Sequence, residues 1–224
     1  MEQEKLNEVL EKHKLWLKDK TLGERANLID EDLSYANLSG AGLSWSNLSG
    51  ANLSDADLSG ANLNDANLTD ADLTGANLSG AELRDANLTS IDLRNAKLVN
   101  ANLNDANLTN ADLSYADLRN AKLVNVKLVN ANLTDADLTD ADLRWADLSE
   151  AMLDDRIHQV ARVGSENRIT TYNATKNIIW CGCFTGTLEQ FEAEIKKTYP
   201  NKDEKYRKQY EAVLIYFKTL KAIG

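Results

Sequence analysis

Carboxylates are the reactive groups this sequence has in quantity. It carries 35 Asp and Glu against 25 Lys and Arg, with two histidines and two cysteines. His13 has no second catalytic group near it in sequence, so it is a poor candidate for a base or ligand. Cys181 and Cys183 are one residue apart, a poor spacing for an ordinary disulfide and too few ligands for a structural zinc site; they read as reduced thiols in a packed segment. No nucleophile motif, phosphate loop or metal-spaced cluster is present. The expectation is a protein that is not an enzyme, with no catalytic residues, cofactor or metal. What the carboxylates can do is present charge. Asp32, Asp72, Asp92 and Asp112 recur at multiples of twenty residues, and bases gather at Arg94, Lys97, Arg119, Lys122 and Lys127. An acidic stripe could meet a basic groove, and a basic girdle with Val99, Val124 and Val129 beside it suits a partner of mixed character. The plainer readings are a solvated, solubilising face and a local adjustment of packing around Ile91 and Val126.

All of these charges sit in a repeat. From Ala26 to Asp155 the chain runs through twenty-six consecutive five-residue units, A-N-L-I-D to A-M-L-D-D, without an insertion. Every central residue from Leu28 to Leu153 is leucine. The residue two before it is alanine in twenty-two units, the exceptions being Glu31, Ser46, Ile91 and Val126. On an α-helix a five-residue step turns the chain by about 140°, so the leucines would scatter round the circumference. On a flat strand the odd step would send alternate leucines to opposite faces, and Asn, Asp, Gly and Ser are poor strand formers. What remains is a coil in which each unit is a short extended piece and a turn, with Leu and Ala inward. The residue two after each Leu is Gly, Asp or Asn in twenty units, the types that best tolerate left-handed turn geometry. The pattern predicts a solenoid.

The A-(D/N)-L-x-x motif, across Ala26 to Asp155, resembles that of the pentapeptide-repeat proteins. The resemblance implies an all-β solenoid, a right-handed quadrilateral β-helix with four units to a coil and about six and a half coils here. Stacked at roughly 4.8 Å, the coils would make a rod about 31 Å long. Residues twenty apart then share a face. Asp32, Asp72, Asp92 and Asp112 would form one column, with Asn52 and Asn132 in line; Tyr35 and Tyr115 would share one edge, Trp45 and Trp145 another.

The flanks read as caps for the open ends of the coil. Residues 1–25 form an N-terminal capping helix, with Leu6, Val9, Leu10, His13 and Leu17 near one face and Gly23 as its exit. Leu10, His13, Trp16 and Leu17, followed by G-E-R-A at Gly23 to Ala26, resemble a leader that precedes such repeats, which makes His13 a cap residue. Residues 156–224 predict a hairpin, Arg168–Tyr172 and Asn177–Trp180 around Asn173-Ala-Thr-Lys. A capping box at Thr187 and Gln190 then opens a helix carrying Leu188, Phe191 and Ile195, which Pro200 closes. A last helix from about Asp203 to Leu220 puts Tyr206, Tyr210, Val213, Leu214 and Phe217 on one apolar side. The stretch from Trp180 to Phe191 resembles a C-terminal module of some bacterial and phage pentapeptide-repeat proteins and transfers no site. The module is expected to cap the last coil or to make a homodimer seam.

Charge supplies the functional expectation. The repeat carries twenty-two acids and seven bases, the first 25 residues six of each, and residues 156–224 twelve bases and seven acids. Net −15 over the rod is about one charge per 2 Å, close to the ~1.7 Å of duplex DNA. No apolar run is long enough to cross a membrane, and the charged first twenty residues are no signal peptide, so a bacterial cytoplasmic setting is expected. The sequence therefore predicts a non-enzymatic structural or protein-interaction scaffold with an unidentified protein partner, no direct nucleic-acid binding by the acidic rod and no membrane association. The alternative implied by the resemblance is a DNA mimic that binds DNA gyrase or another type II topoisomerase through its acidic face. This chain departs from such members in having no central Phe and no loop between coils.

Overall fold

The computed structural model describes the backbone of residues 1–153, 157–163, 168–173, 177–181, 184–200 and 205–223. Two compact units are present: Met1–Asp142 with Ala146–Met152, and Leu143–Trp145 with Leu153–Gly224.

In the first unit, parallel bridges join residues twenty apart, from Asn27 and Asn47 to Lys127 and Asp147. The chain thus returns over itself every four five-residue units. Three backbone hydrogen bonds per unit tie neighbouring coils: the Leu28 amide donates to the Asn47 carbonyl (2.7 Å), Asp30 to Ser49 (3.0 Å), and Asn47 back to Ala26 (3.0 Å), and the same set recurs along the ladder. A fourth bond, as from the Ala36 amide to the Leu33 carbonyl (3.0 Å), closes each corner. Every fifth-position residue from Asp30 to Glu150 has a φ between 54° and 70°, the left-handed geometry that Gly, Asn and Asp adopt most readily. Toward the end of the repeat the bridges lengthen into two short strands, β1 (Asn132–Leu133) and β2 (Met152–Leu153).

The inward positions make the core. The central leucines from Leu28 to Leu148 are at most 4% exposed, and Ile91 and Val126 are buried in place of alanine. Ser46 is also buried, and its hydroxyl donates to the Leu43 carbonyl at 2.6 Å, so this inward polar group is satisfied.

Helix α1 (Gln3–Lys18) packs on the first coil through Leu6 and His13, which are buried, and through half-buried Val9, Leu10 and Trp16. Leu17, expected on the apolar face, is 38% exposed and reaches only the margin of the coil, opposite Gly42. Trp16 takes the inward place and stacks on His13, with ring centres 5.5 Å apart. Gly23 turns the chain back along the helix at φ 70°, where a Cβ would stand 2.1 Å from the Lys12 carbonyl oxygen; only glycine fits there. The first coil has no coil before it, and side chains of this segment meet its outer backbone groups. The Gln3 amide oxygen accepts from the Asn37 amide (3.3 Å) and its nitrogen donates to the Asn37 carbonyl (3.5 Å). The Met1 amine donates to the Asp32 carbonyl. His13 accepts from the Ala26 amide at Nδ1 and faces the Ser44 carbonyl with Nε2, both at 3.1 Å.

The second unit is an antiparallel sheet of β3 (Ile157–Val163), β4 (Arg168–Asn173), β5 (Ile178–Cys181) and β6 (Phe184–Thr187), in that order, followed by α2 (Leu188–Thr198) and α3 (Lys205–Ile223). The expected hairpin is β4–β5, with Tyr172 opposite Ile179 and Thr170 opposite Cys181; the sequence reading missed its outer neighbours β3 and β6. Those four side chains are buried on one face. Tyr172, Ile179 and Cys181 join Leu188, Phe191, Ile195, Val213, Leu214 and Phe217 in a single apolar cluster. The Cys181 thiol lies 2.9 Å from the Thr170 hydroxyl. The capping box is present: Thr187 accepts from the Gln190 amide, and the Gln190 side chain accepts from the Thr187 amide. Asp154 and Asp155 of the last repeat, residues 174–176 where the hairpin turn is expected, Cys183 and Asp203 lie outside the described residues, as do the side chains of Leu153 and His158.

Candidate functional site

The second position of each unit explains the D/N of the motif. Where it is Asp or Asn, its Oδ1 can accept the amide of the residue two further on: Ser34 donates to Asp32 (3.1 Å), Thr74 to Asp72 (2.9 Å), Arg94 to Asp92 (3.1 Å) and Ser114 to Asp112 (2.9 Å). A Ser or Thr hydroxyl often adds a second bond to the same oxygen, as Ser34 does to Asp32 and Thr69 to Asn67, both at 2.7 Å. This is an Asx turn repeated along the solenoid. Asp and Asn serve it equally, and they differ in what else they do. Asn uses its Nδ2 to reach the preceding coil, as from Asn52 to Asp32 (3.3 Å), Asn67 to Asn47 (3.1 Å) and Asn132 to Asp112 (3.1 Å); Asp places a charge there instead.

Successive bridges put Asp32, Asn52, Asp72, Asp92, Asp112 and Asn132 in one column. Its middle holds three carboxylates on consecutive coils, about 4.8 Å apart by strand spacing. Like charges so placed favour protonation, and hydrogen-bond donors oppose it. The Ser34 hydroxyl and amide hold Asp32 below the ordinary carboxylate range. Burial pushes Asp92 up, but the Arg94 side chain and amide outweigh it and the net shift is downward. A general acid at neutral pH needs the opposite shift. Asp32 and Asp92 are therefore fixed negative charges.

The bases do not gather into one patch. Arg94 lies on the acidic column's face and binds Asp92 through Nε and Nη2 at 2.6–3.0 Å. Arg119 grips Asp117 in the same way at 2.6–2.7 Å and comes within 3.9 Å of Asp137. Each arginine spends its charge on the acid two residues before it. Lys97, Lys122 and Lys127 are exposed, on three different ladders that also hold Asp117, Asn102 and Asn107 respectively. The girdle winds round the solenoid, and no single flat partner meets all of it.

Tyr35 and Tyr115 occupy one edge four coils apart, with Asp55, Gly75 and Asn95 between them. They are 77% and 61% exposed, Trp45 is 50%, and all three are held at φ 60° to 66°, where bulky side chains are uncommon. Trp145 has the same conformation in its repeat. Among the described residues, the interior gap bounded by Leu83, Leu88, Ile91 and Leu93 is too small for water. Among the described residues no group of three or more His, Cys, Asp or Glu is placed to hold a metal, and no helix is long and apolar enough to cross a membrane.

A family model described as pentapeptide repeats matches residues 24–55, 51–89, 86–125 and 116–155, with eight copies. No curated protein matches the chain. Similar solved structures include HetL, a pentapeptide repeat protein involved in heterocyst differentiation regulation from the cyanobacterium Nostoc sp. strain PCC 7120, at 39% identity over 59% of this chain and 63% of that one, with a TM-score of 0.39. The match thus spans less than two thirds of HetL. A pentapeptide repeat protein of the Arabidopsis thaliana thylakoid lumen is 34% identical over 44% of this chain and 69% of its own, TM-score 0.43. QnrB1, a plasmid-mediated fluoroquinolone resistance protein, is 24% identical over 57% and 68%, TM-score 0.38. The family model spans more than half of the sequence and falls on the segment that builds the ladder; the chain belongs to the pentapeptide repeat family.

Proposed function

We propose that this protein is a non-enzymatic scaffold that binds another protein through the outer faces of its solenoid, with the column of Asp32, Asp72, Asp92 and Asp112 meeting a basic surface on the partner. The observation that supports the reading is the succession Asp72, Asp92, Asp112, three carboxylates on consecutive coils, each held by its own turn. Side chains fixed in advance lose little rotamer freedom on binding. Stacked like charges cost stability in the free protein, and a cationic partner relieves that cost. In this reading the solenoid is right-handed with about six and a half coils, α1 closes its first coil, and the protein works in the cytoplasm.

The test uses Asp→Asn at 32, 72, 92 and 112 together, which keeps every turn acceptor and removes the charges, and at position 92 also breaks the ion pair with Arg94. Capture of proteins from the native host with the wild type and this variant should differ by loss of the specific partner; an unchanged set of captured proteins would refute the reading. Purified DNA gyrase belongs in the same experiment, at low and moderate salt, with and without a quinolone. Salt-sensitive gyrase binding that the four substitutions abolish would identify the partner as a type II topoisomerase.

A further inference from the structure

Three groups of the N-terminal segment, at Met1, Gln3 and His13, meet the outer backbone of the first coil. Gln3 carries no titratable group. His13 is different. Its ring is fully buried, and Nδ1 accepts from the Ala26 amide while Nε2 faces the Ser44 carbonyl. Only the neutral tautomer with its proton on Nε2 can do both.

We propose that His13 is an acid-operated latch on the N-terminal helix: a proton taken from solvent at Nδ1 sets N–H against the Ala26 N–H, breaks that bond and releases α1 from the first coil. The inference rests on the solenoid and its first coil and is independent of what the acidic column binds. The surroundings favour the neutral ring. Burial lowers its pKa, the bond to Ser44 partly offsets this, and the positive field of Arg25 lowers it further. Lys12 and Glu24, from the helix and the returning chain, are tied to each other at 3.4 Å. Lys20 lies over the ring of Trp16, which stacks on His13. The first coil presents a carbonyl and an amide to the ring; among the described contacts its acids Asp30, Glu31 and Asp32 make no bond to it.

The sign follows from linkage. The folded ring binds its proton less readily than the free side chain, so the docked helix is fully stable above the free value of about 6.5 and loses stability as pH falls toward the lowered one. Release would bare the Ala26 amide, both backbone groups of Asn37 and the carbonyls of Asp32 and Ser44, an edge able to pair with another chain.

The experiment is a pH titration of the full chain from about 7.5 to 4.5. It follows the His13 ring by NMR in a His158→Gln background, together with hydrogen exchange at Ala26 and Asn37 corrected for intrinsic rates. Exchange at both amides should rise by about tenfold per pH unit below ~6.5, while mid-ladder amides such as Leu93 stay protected. His13→Gln should remove this acid response, and Arg25→Gln, which brings the docked ring closer to the free value, should leave the onset in place and make the total rise in exchange smaller. Protection at Ala26 and Asn37 that persists after the ring has titrated would overturn the latch, as would an unchanged response in His13→Gln. If His13→Gln does not fold, the wild type and Arg25→Gln still decide the matter.

Discussion

At the scale of the residue, the turns at Asp and Asn second positions depend on one side-chain oxygen each. Asn107 accepts from the Thr109 amide (3.2 Å) and hydroxyl (2.7 Å) and donates to the Thr89 hydroxyl (3.0 Å). Asn107→Ala removes all three and should lower stability by about 1 kcal/mol in denaturant unfolding, whereas Asn107→Asp keeps the two accepted bonds and should cost much less. The fifth position makes a different prediction. Tyr115 is held at φ 60°, so Tyr115→Asn should raise stability by about 1 kcal/mol; a loss would mean that the ring packs on its neighbours. The left-handed corners were legible in the sequence because Gly, Asn and Asp mark that geometry by type. The second position was legible only as outward and polar. Its acceptor role depends on where the amide two residues later points, which no residue count reveals.

At the scale of the element, the two units rest on different supports. In the solenoid each leucine is one layer of a continuous stack, so Leu98→Ala, at a fully buried site, should cost about 3 kcal/mol with little room for collapse between rigid coils. In the second unit α3 is tied to α2 by charge: Lys218 binds Glu192, and Lys221 binds Glu189 at 2.9 Å. Lys196 and Lys218 hold the Glu192 carboxyl down to about 2. Its stabilising share is thus present above the free value and is lost as pH falls from about 4.5 to about 2. Glu192→Gln should flatten that part of the acid-unfolding curve for α2 and α3, read by helix circular dichroism. The capping box and the β4–β5 hairpin were readable because both have local signatures. Strands β3 and β6 lacked them: Ile157–Val163 shows no clean alternation of apolar and polar residues, and Phe184-Thr-Gly-Thr reads as a lead into α2. Leu17 was misplaced on α1 because helical spacing locates a face without showing where the surface it covers ends.

At the scale of the molecule, charge is distributed by segment. The repeat carries twenty-two acids and seven bases, and two of those bases are spent on the adjacent acids Asp92 and Asp117. Mutual repulsion within the solenoid should therefore be screened by salt. Its thermal midpoint should rise between about 10 mM and 0.5 M salt, and the four Asp→Asn substitutions should reduce that rise. The fivefold repeat made the solenoid legible from sequence, but an acidic face that binds and one that only solubilises have the same composition. Partner binding distinguishes them. The decisive measurement is the salt dependence of affinity for the captured partner, for the wild type and for the variant with Asn at positions 32, 72, 92 and 112. The account predicts steep weakening with salt for the wild type, with a weaker affinity and a shallower slope for the variant. Equal affinity and equal slope in the two proteins would contradict it.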